Sequence, residues 1–196
     1  NSGEKVTGLK YGDTVYARLT DGSNYGEPAS KVVTDEVAPA KATISLNKTT
    51  AIAGETITAI VTHTDNESGV DISKSKWIFN TTSTNIGTDE ISYTGTFTSN
   101  GEKINIPTSS TGTYYLHVLT VDKAGNKVET ISRAVTLETI KGNITCSTPS
   151  WNGGEAEVTL STTEVDYTIQ YKINDGAWTG LADVGTNGKV TALHHG

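Results

Sequence analysis

The chain has 196 residues, of which 34% are hydrophobic and only 19% charged, with no Met and a single Cys. That apolar content is thin for one large core and suits small modules instead. The formal net charge of −7, with 15 scattered Lys and Arg, argues against nucleic acid as a partner, and no apolar run approaches the ~18–20 residues of a membrane helix.

Abundant Thr and 20 Gly, without a helix-forming stretch, point to an all-β chain. The first 35 residues read as three strands, Lys5–Leu9, Thr14–Leu19 and Ala29–Val33, joined by the turns Lys10-Tyr11-Gly12-Asp13 and Asp21-Gly22-Ser23-Asn24. Three such strands need a second layer to bury one face. Asp35-Glu36-Val37-Ala38-Pro39-Ala40-Lys41 then reads as a short, stiff linker, because Pro restricts its own φ and the residue before it.

Residues 42–138 hold seven predicted strands: 42–46, 56–62, 76–80, a region about 90–97, 103–107, 113–121 and 127–137. The second alternates Ile57, Ala59 and Val61 against Thr58, Ile60 and Thr62, the period of a strand with one buried face. Trp77 on the third strand and Tyr114 near the start of the sixth complete the pattern of an immunoglobulin-like sandwich. Leu116 stands where such sandwiches carry their second cysteine, so packing alone joins the sheets.

The entry Val37-Ala38-Pro39, the loop Asp65-Asn66-Glu67-Ser68-Gly69-Val70 and the run Val121-Asp122-Lys123-Ala124-Gly125-Asn126 resemble the bacterial immunoglobulin-like and fibronectin III-like modules that occur in tandem on cell-surface and adhesin proteins. The resemblance implies an extracellular, bacterial structural repeat of a stalk or filament, with an adhesin or carbohydrate-binding module as the alternative. It covers about half the chain and says little about activity.

Residues 140–196 carry four further strands: 143–147, 155–161, 167–173 and 189–193. Asp175-Gly176 is expected to supply the positive φ angles of a hairpin turn. The last segment repeats the first: Lys189, Val190, Thr191, Leu193 and Gly196 match Lys5, Val6, Thr7, Leu9 and Gly12 at an offset of roughly 184 residues. The expected organisation is therefore the later part of one module plus linker at 1–38, a complete sandwich at 39–139 and the opening part of a module at 140–196. The end segments are complementary, and three completions are open: closure within one chain, head-to-tail strand complementation between copies, or adjacent repeats of a longer chain. Lys5, Val6, Thr7 and Leu9 with Lys189, Val190, Thr191 and Leu193 are the candidate assembly residues.

Three groups could carry binding chemistry. Asp35, Glu36, Asp65, Glu67, Asp71, Asp122 and Asn126 fall at one end of the expected sandwich, where oxygen ligands could hold calcium at the junction; Asp65 and Asp122 are equally suited to capping turns, with Gly69 and Gly125 left-handed. Trp151, Trp178 and Tyr171, with Tyr167, could stack on a glycan or anchor a protein receptor, or pack as core and cross-strand pairs. His63, His117, His194 and His195 and the lone Cys146 read as structural, with Cys146 a small buried side chain. No Gly-x-Ser-x-Gly, His-Glu-x-x-His or phosphate-cradling loop is present, so no enzyme is expected.

Overall fold

The computed structural model describes residues 5–152, 155–163, 168–181 and 187–193, with residues 151, 152, 155 and 187–193 described by their backbone. Residues 1–4, Tyr167 and the 194–196 end of the repeat, with His194 and His195, lie outside the described residues. The chain is all-β, with one short 3₁₀ turn and no α-helix among the described residues. It divides into two compact units, residues 1–139 and 140–196.

The first unit opens with β1 (Thr14–Ala17) and β2 (Ala29–Val32), an antiparallel pair aligned Thr14 to Val32 and Ala17 to Ala29. Lys5–Leu9, expected as a strand, is irregular, because nothing within the described residues offers it a ladder.

The larger part of the unit consists of two sheets. One is three-stranded and antiparallel, in the order β3 (Ala40–Leu46), β5 (Ile57–Thr64), β8 (Lys103–Ile106). The other runs β4 (Thr50–Ile52), β11 (Val135–Glu138), β9 (Gly112–Val121), β6 (Lys76–Asn80), β7 (Gly95–Thr96), and β10 (Lys127–Ile131) also pairs with β9. Strand β4 was not expected; it lies parallel to β11 as a short edge. Two expected strands are interrupted. The segment 127–137 splits into β10 and β11 because Ser132 intervenes: its Oγ accepts from Leu116 N at 2.9 Å, and its own N–H donates to Leu116 O. In the 90–97 region, Asp89 caps a 3₁₀ turn over Glu90–Ser92, leaving only β7 extended.

The sheets share one core. Ile57, Ala59, Val61, Ile104 and Ile106 from the first meet Ala51, Leu116, Val118, Val135 and Leu137 from the second, flanked by Trp77, Phe79 and Tyr114. The alternation along β5 is realised: Ile57, Ala59 and Val61 are buried while Ile60 faces out. The opposite side of β9 is also covered, by Tyr93 against Leu119 and Val121.

The second unit contains β12 (Ile144–Cys146), β13 (Ser150–Asn152), β14 (Glu155–Thr162), β15 (Gln170–Tyr171), β16 (Thr179–Gly180) and β17 (Asn187–Leu193). Strand β14 pairs antiparallel with β12, β13 and β17. The β15–β16 hairpin turns over Ile173–Gly176, with Gly176 N donating to Ile173 O at 3.0 Å, but the positive φ, 49°, falls on Asn174 and not on Asp175-Gly176; Asn is among the few residues besides glycine that visit the left-handed region. Cys146 is exposed rather than buried, because β12 presents all three residues outward.

Candidate functional site: an acidic junction

The feature that organises the first unit's loops is the way the linker is held. Asp35 Oδ1 accepts from Val37 N at 2.9 Å, closing an Asx turn, and its Oδ2 accepts from Ser68 N at 3.2 Å. The carbonyl of Asp35 accepts from Asn126 Nδ2 at 3.2 Å. One linker residue therefore bonds both the loop after β5 and the turn between β9 and β10. Further along, Pro39 is buried, Ala42 N donates to Thr130 Oγ1 at 2.9 Å, and the Tyr11 hydroxyl donates to Lys123 O at 3.1 Å.

Three of the seven expected acidic-end residues converge at this point. A carboxylate oxygen from each of Asp35, Asp65 and Asp122 lies within 4.8 Å of the others, with Asp122 fully buried. The turn-capping roles are realised in the same residues. Asp65 Oδ2 accepts from Gly69 N at 2.6 Å and from Ser68 Oγ, while Asp122 holds Asn126 through its N–H at 2.7 Å and its Nδ2 at 2.8 Å. Gly69 and Gly125 take φ of 83° and 96°, the conformation that these turns require.

Capping does not consume every acceptor. Asp65 Oδ1 is shut off from solvent and has no hydrogen-bond partner. Leaving a carboxylate oxygen so placed costs stability unless something compensates it. No ion pair among the described residues reaches any of the three carboxylates. Lys123 lies beside Gly69: its N–H donates to Gly69 O at 2.9 Å, and a Cβ at Gly69 would meet its Nζ at 3.5 Å. The Val37 amide, and after it Ser68, hold the Asp35 carboxyl below its ordinary value. Oxygen ligands at about 2.4 Å from one cation are separated by up to about 4.8 Å, so the donor set and spacing fit a hard divalent ion such as calcium.

The remaining acidic-end residues divide. Asn126 is the brace between Asp122 and the linker. Glu36 and Glu67 are exposed on the wall of an adjoining cleft of about 800 Å³, together with Tyr11 and Lys123. Asp71 stands apart, bonded to Ser73 Oγ at 2.6 Å and to Lys74. Sequence reasoning missed the backbone amide of Ser68 and the hydroxyl of Tyr11; neither carries a residue-type signal, because a backbone donor is available anywhere and Tyr11 sits in an ordinary turn.

Of the aromatic set, only Tyr171 and Trp178 have described side chains, and no ring contact joins them among the described residues. Trp178 is 65% exposed, so it is not core, and Lys172 Nζ lies 5.6 Å from its ring; Tyr171 on β15 is half-buried, and Trp151 is placed by its backbone on β13. Of the assembly residues, Lys189, Val190, Thr191 and Leu193 lie on β17, whereas Lys5, Val6, Thr7 and Leu9 are exposed and join no ladder among the described residues. No helix among the described residues is long and apolar enough to cross a membrane. No protein-family model matches the chain, and a comparison with curated proteins finds no match either.

Proposed function

We propose that this chain is a non-catalytic structural repeat of an extracellular bacterial surface stalk or filament, built from immunoglobulin-like sandwiches and stiffened at its junction by calcium. The strand order of the two sheets, β3-β5-β8 facing β4-β11-β9-β6-β7, supports the immunoglobulin-like reading. The observation that carries the mechanical role is Asp35: a linker residue bonded on both its side chain and its carbonyl to two loops of the following sandwich. A spacer that must transmit force needs its linkers fixed, and a cation shared by Asp35, Asp65 and Asp122 would tie linker to loops without adding core. Asp35, Asp65 and Asp122 would hold the ion and Asn126 would position Asp122; the ion's contribution would be charge neutralisation and crosslinking. Pulling the full chain from its two ends by single-molecule force spectroscopy should give a cooperative unfolding peak for the first unit, at a force that falls on chelation. Extension without a resolvable peak would contradict a load-bearing role.

The glycan-binding alternative rests on one observation, the outward indole of Trp178 beside Lys172. A glycan array with no signal from the intact chain would remove it.

A further inference from the structure

Strand β4 belongs to one sheet by pairing and to the other by connection. It follows β3 of the three-stranded sheet after three residues, yet it pairs with β11 at the edge of the second sheet. The pairing is parallel, with Thr50 opposite Thr136, Ala51 opposite Leu137 and Ile52 opposite Glu138. Thr136 N donates to Thr49 O, and Ala53 N donates to Glu138 O, both at 2.8 Å. Ala51 and Leu137 are buried in the shared core. Both ends of β4 are also fastened. Before it, Asn47 N donates to Thr58 O at 3.0 Å and Asn47 Oδ1 accepts from Thr58 N at 2.8 Å, which ties this end to β5. After it, Glu55 Oε2 accepts from Ile52 N at 3.1 Å and from Lys48 Nζ at 2.7 Å, while the Thr108 hydroxyl donates to Glu55 O.

We infer that the β4–β11 ladder is the mechanical clamp of the first unit: its rupture sets the force at which the sandwich opens. This rests on the load-bearing reading and names the contact that carries the load. The chain enters the sandwich through β3 and β4 and leaves it through β11. Tension between the chain ends therefore pulls β4 toward its N-terminal side and β11 toward its C-terminal side. In parallel strands those two pulls oppose each other along the strand axis, so the evenly spaced bonds between them shear together rather than open one at a time. Other contacts lie off this path. Glu129 on β10, for example, accepts from Ile86 N and Gly87 N and fastens the loop between β6 and β7. Forced opening follows the unfolding rate and not the equilibrium stability, so bonds in the clamp and bonds outside it have separable effects.

The test pulls the full chain from its two ends. Ala53→Pro removes the amide that donates to Glu138 O. The turn over Ile52–Glu55 accepts proline there: Glu55 N donates to Ile52 O at 3.0 Å and Gly54 takes φ 96°, the turn form in which proline is common at the second residue. This variant should melt close to the parent, while its lifetime at constant force should fall about fivefold, the factor that one net hydrogen bond carries. Glu129→Ala should do the reverse, losing chemical stability and keeping the parent's lifetime under load, because its contacts are still intact when the clamp breaks. A second reading comes from Thr50→Cys with Thr136→Cys in a Cys146→Ser background, since these residues oppose each other within disulfide reach. Oxidised, this chain should lose the first unit's force peak, because residues 51–135 leave the load path; reduction should restore it. A peak that persists at the parent's force in the oxidised chain would place the barrier in the β3–β5 pairing and overturn the inference. So would an Ala53→Pro lifetime equal to the parent's, or a Glu129→Ala lifetime shortened as much. A parent chain with no resolvable peak would remove the load-bearing reading itself, and the clamp with it.

Discussion

The Nδ1 of His117 on β9 lies 2.7 Å from Oε1 of Glu129 on β10, and both side chains are buried. The other ring nitrogen of His117 meets the carbonyl of Thr82 at 2.8 Å. Glu129 in turn accepts from Ile86 N at 3.0 Å and Gly87 N at 2.9 Å. Two strand residues thus fasten the loop between β6 and β7, where Tyr93 donates its hydroxyl to Gly87 O at 2.7 Å. Burial, and after it the charge of Glu129, push the Tyr93 hydroxyl well above the usual range, so it remains a donor at all ordinary pH.

Removing one member of this pair strands the rest. Glu129→Ala leaves His117 Nδ1 without its partner and two backbone amides without their acceptor, and should cost about 3 kcal/mol of stability in urea denaturation. A loss below about 1 kcal/mol would mean that the loop re-forms its bonds with water.

His63 gives the first unit a pH dependence. Its Nδ1 bonds Thr120 Oγ1 at 2.8 Å, its Nε2 is buried without a partner, and burial pushes its pKa down to about 4 from 6.5. The unfolded chain therefore binds more protons between those values, and stability rises with pH there. The contribution is complete above pH 6.5 and is lost as pH falls through 4, to a total of roughly 3 kcal/mol. Melting temperatures measured from pH 7 to 4 should fall, and fall less in His63→Leu. An identical slope in both proteins would assign the acid sensitivity elsewhere.

Gly95 on β7 lies under the indole of Trp77, where a Cβ would run into the ring atoms. Gly95→Ala should displace Trp77, shift its fluorescence and cost about 2 kcal/mol. Unchanged emission and stability would show that the indole yields without repacking.

Asp122 is fully buried, and its two oxygens accept from the backbone N–H and the Nδ2 of Asn126, whose Nδ2 also donates to the linker carbonyl of Asp35. Asp122→Ala should cost about 2 kcal/mol and speed hydrogen exchange at the Asn126 and Val37 amides. Protection retained at Val37 would show that the Asx turn of Asp35 fixes the linker alone.

Much of this fold could be read from residue pattern, because strands such as β5, β8 and β11 have a period-2 burial that their sequences declare. The acidic cluster was half legible. Asp35, Asp65 and Asp122 were expected at one end from strand connectivity, but Asp71, close to Asp65 in sequence, turns aside to Ser73 and Lys74. Local hydrogen bonding decided that, and loop spacing carries no trace of it. Breaks caused by a single side chain, such as Ser132 splitting β10 from β11, were equally invisible. The status of Lys5–Leu9 was misread for a different reason. Its composition suits a strand, yet strand formation also requires an edge to pair with, and no propensity encodes the edge.

Calcium dependence of the melting temperature tests the junction most directly. The intact chain should melt several degrees higher in millimolar calcium than in chelator, reversibly, since an ion that binds only the folded state stabilises it by mass action. Asp65→Asn, which keeps the side chain's size but reduces its charge, should abolish most of that difference. Identical melting curves in calcium and in chelator would contradict a cation at Asp35, Asp65 and Asp122.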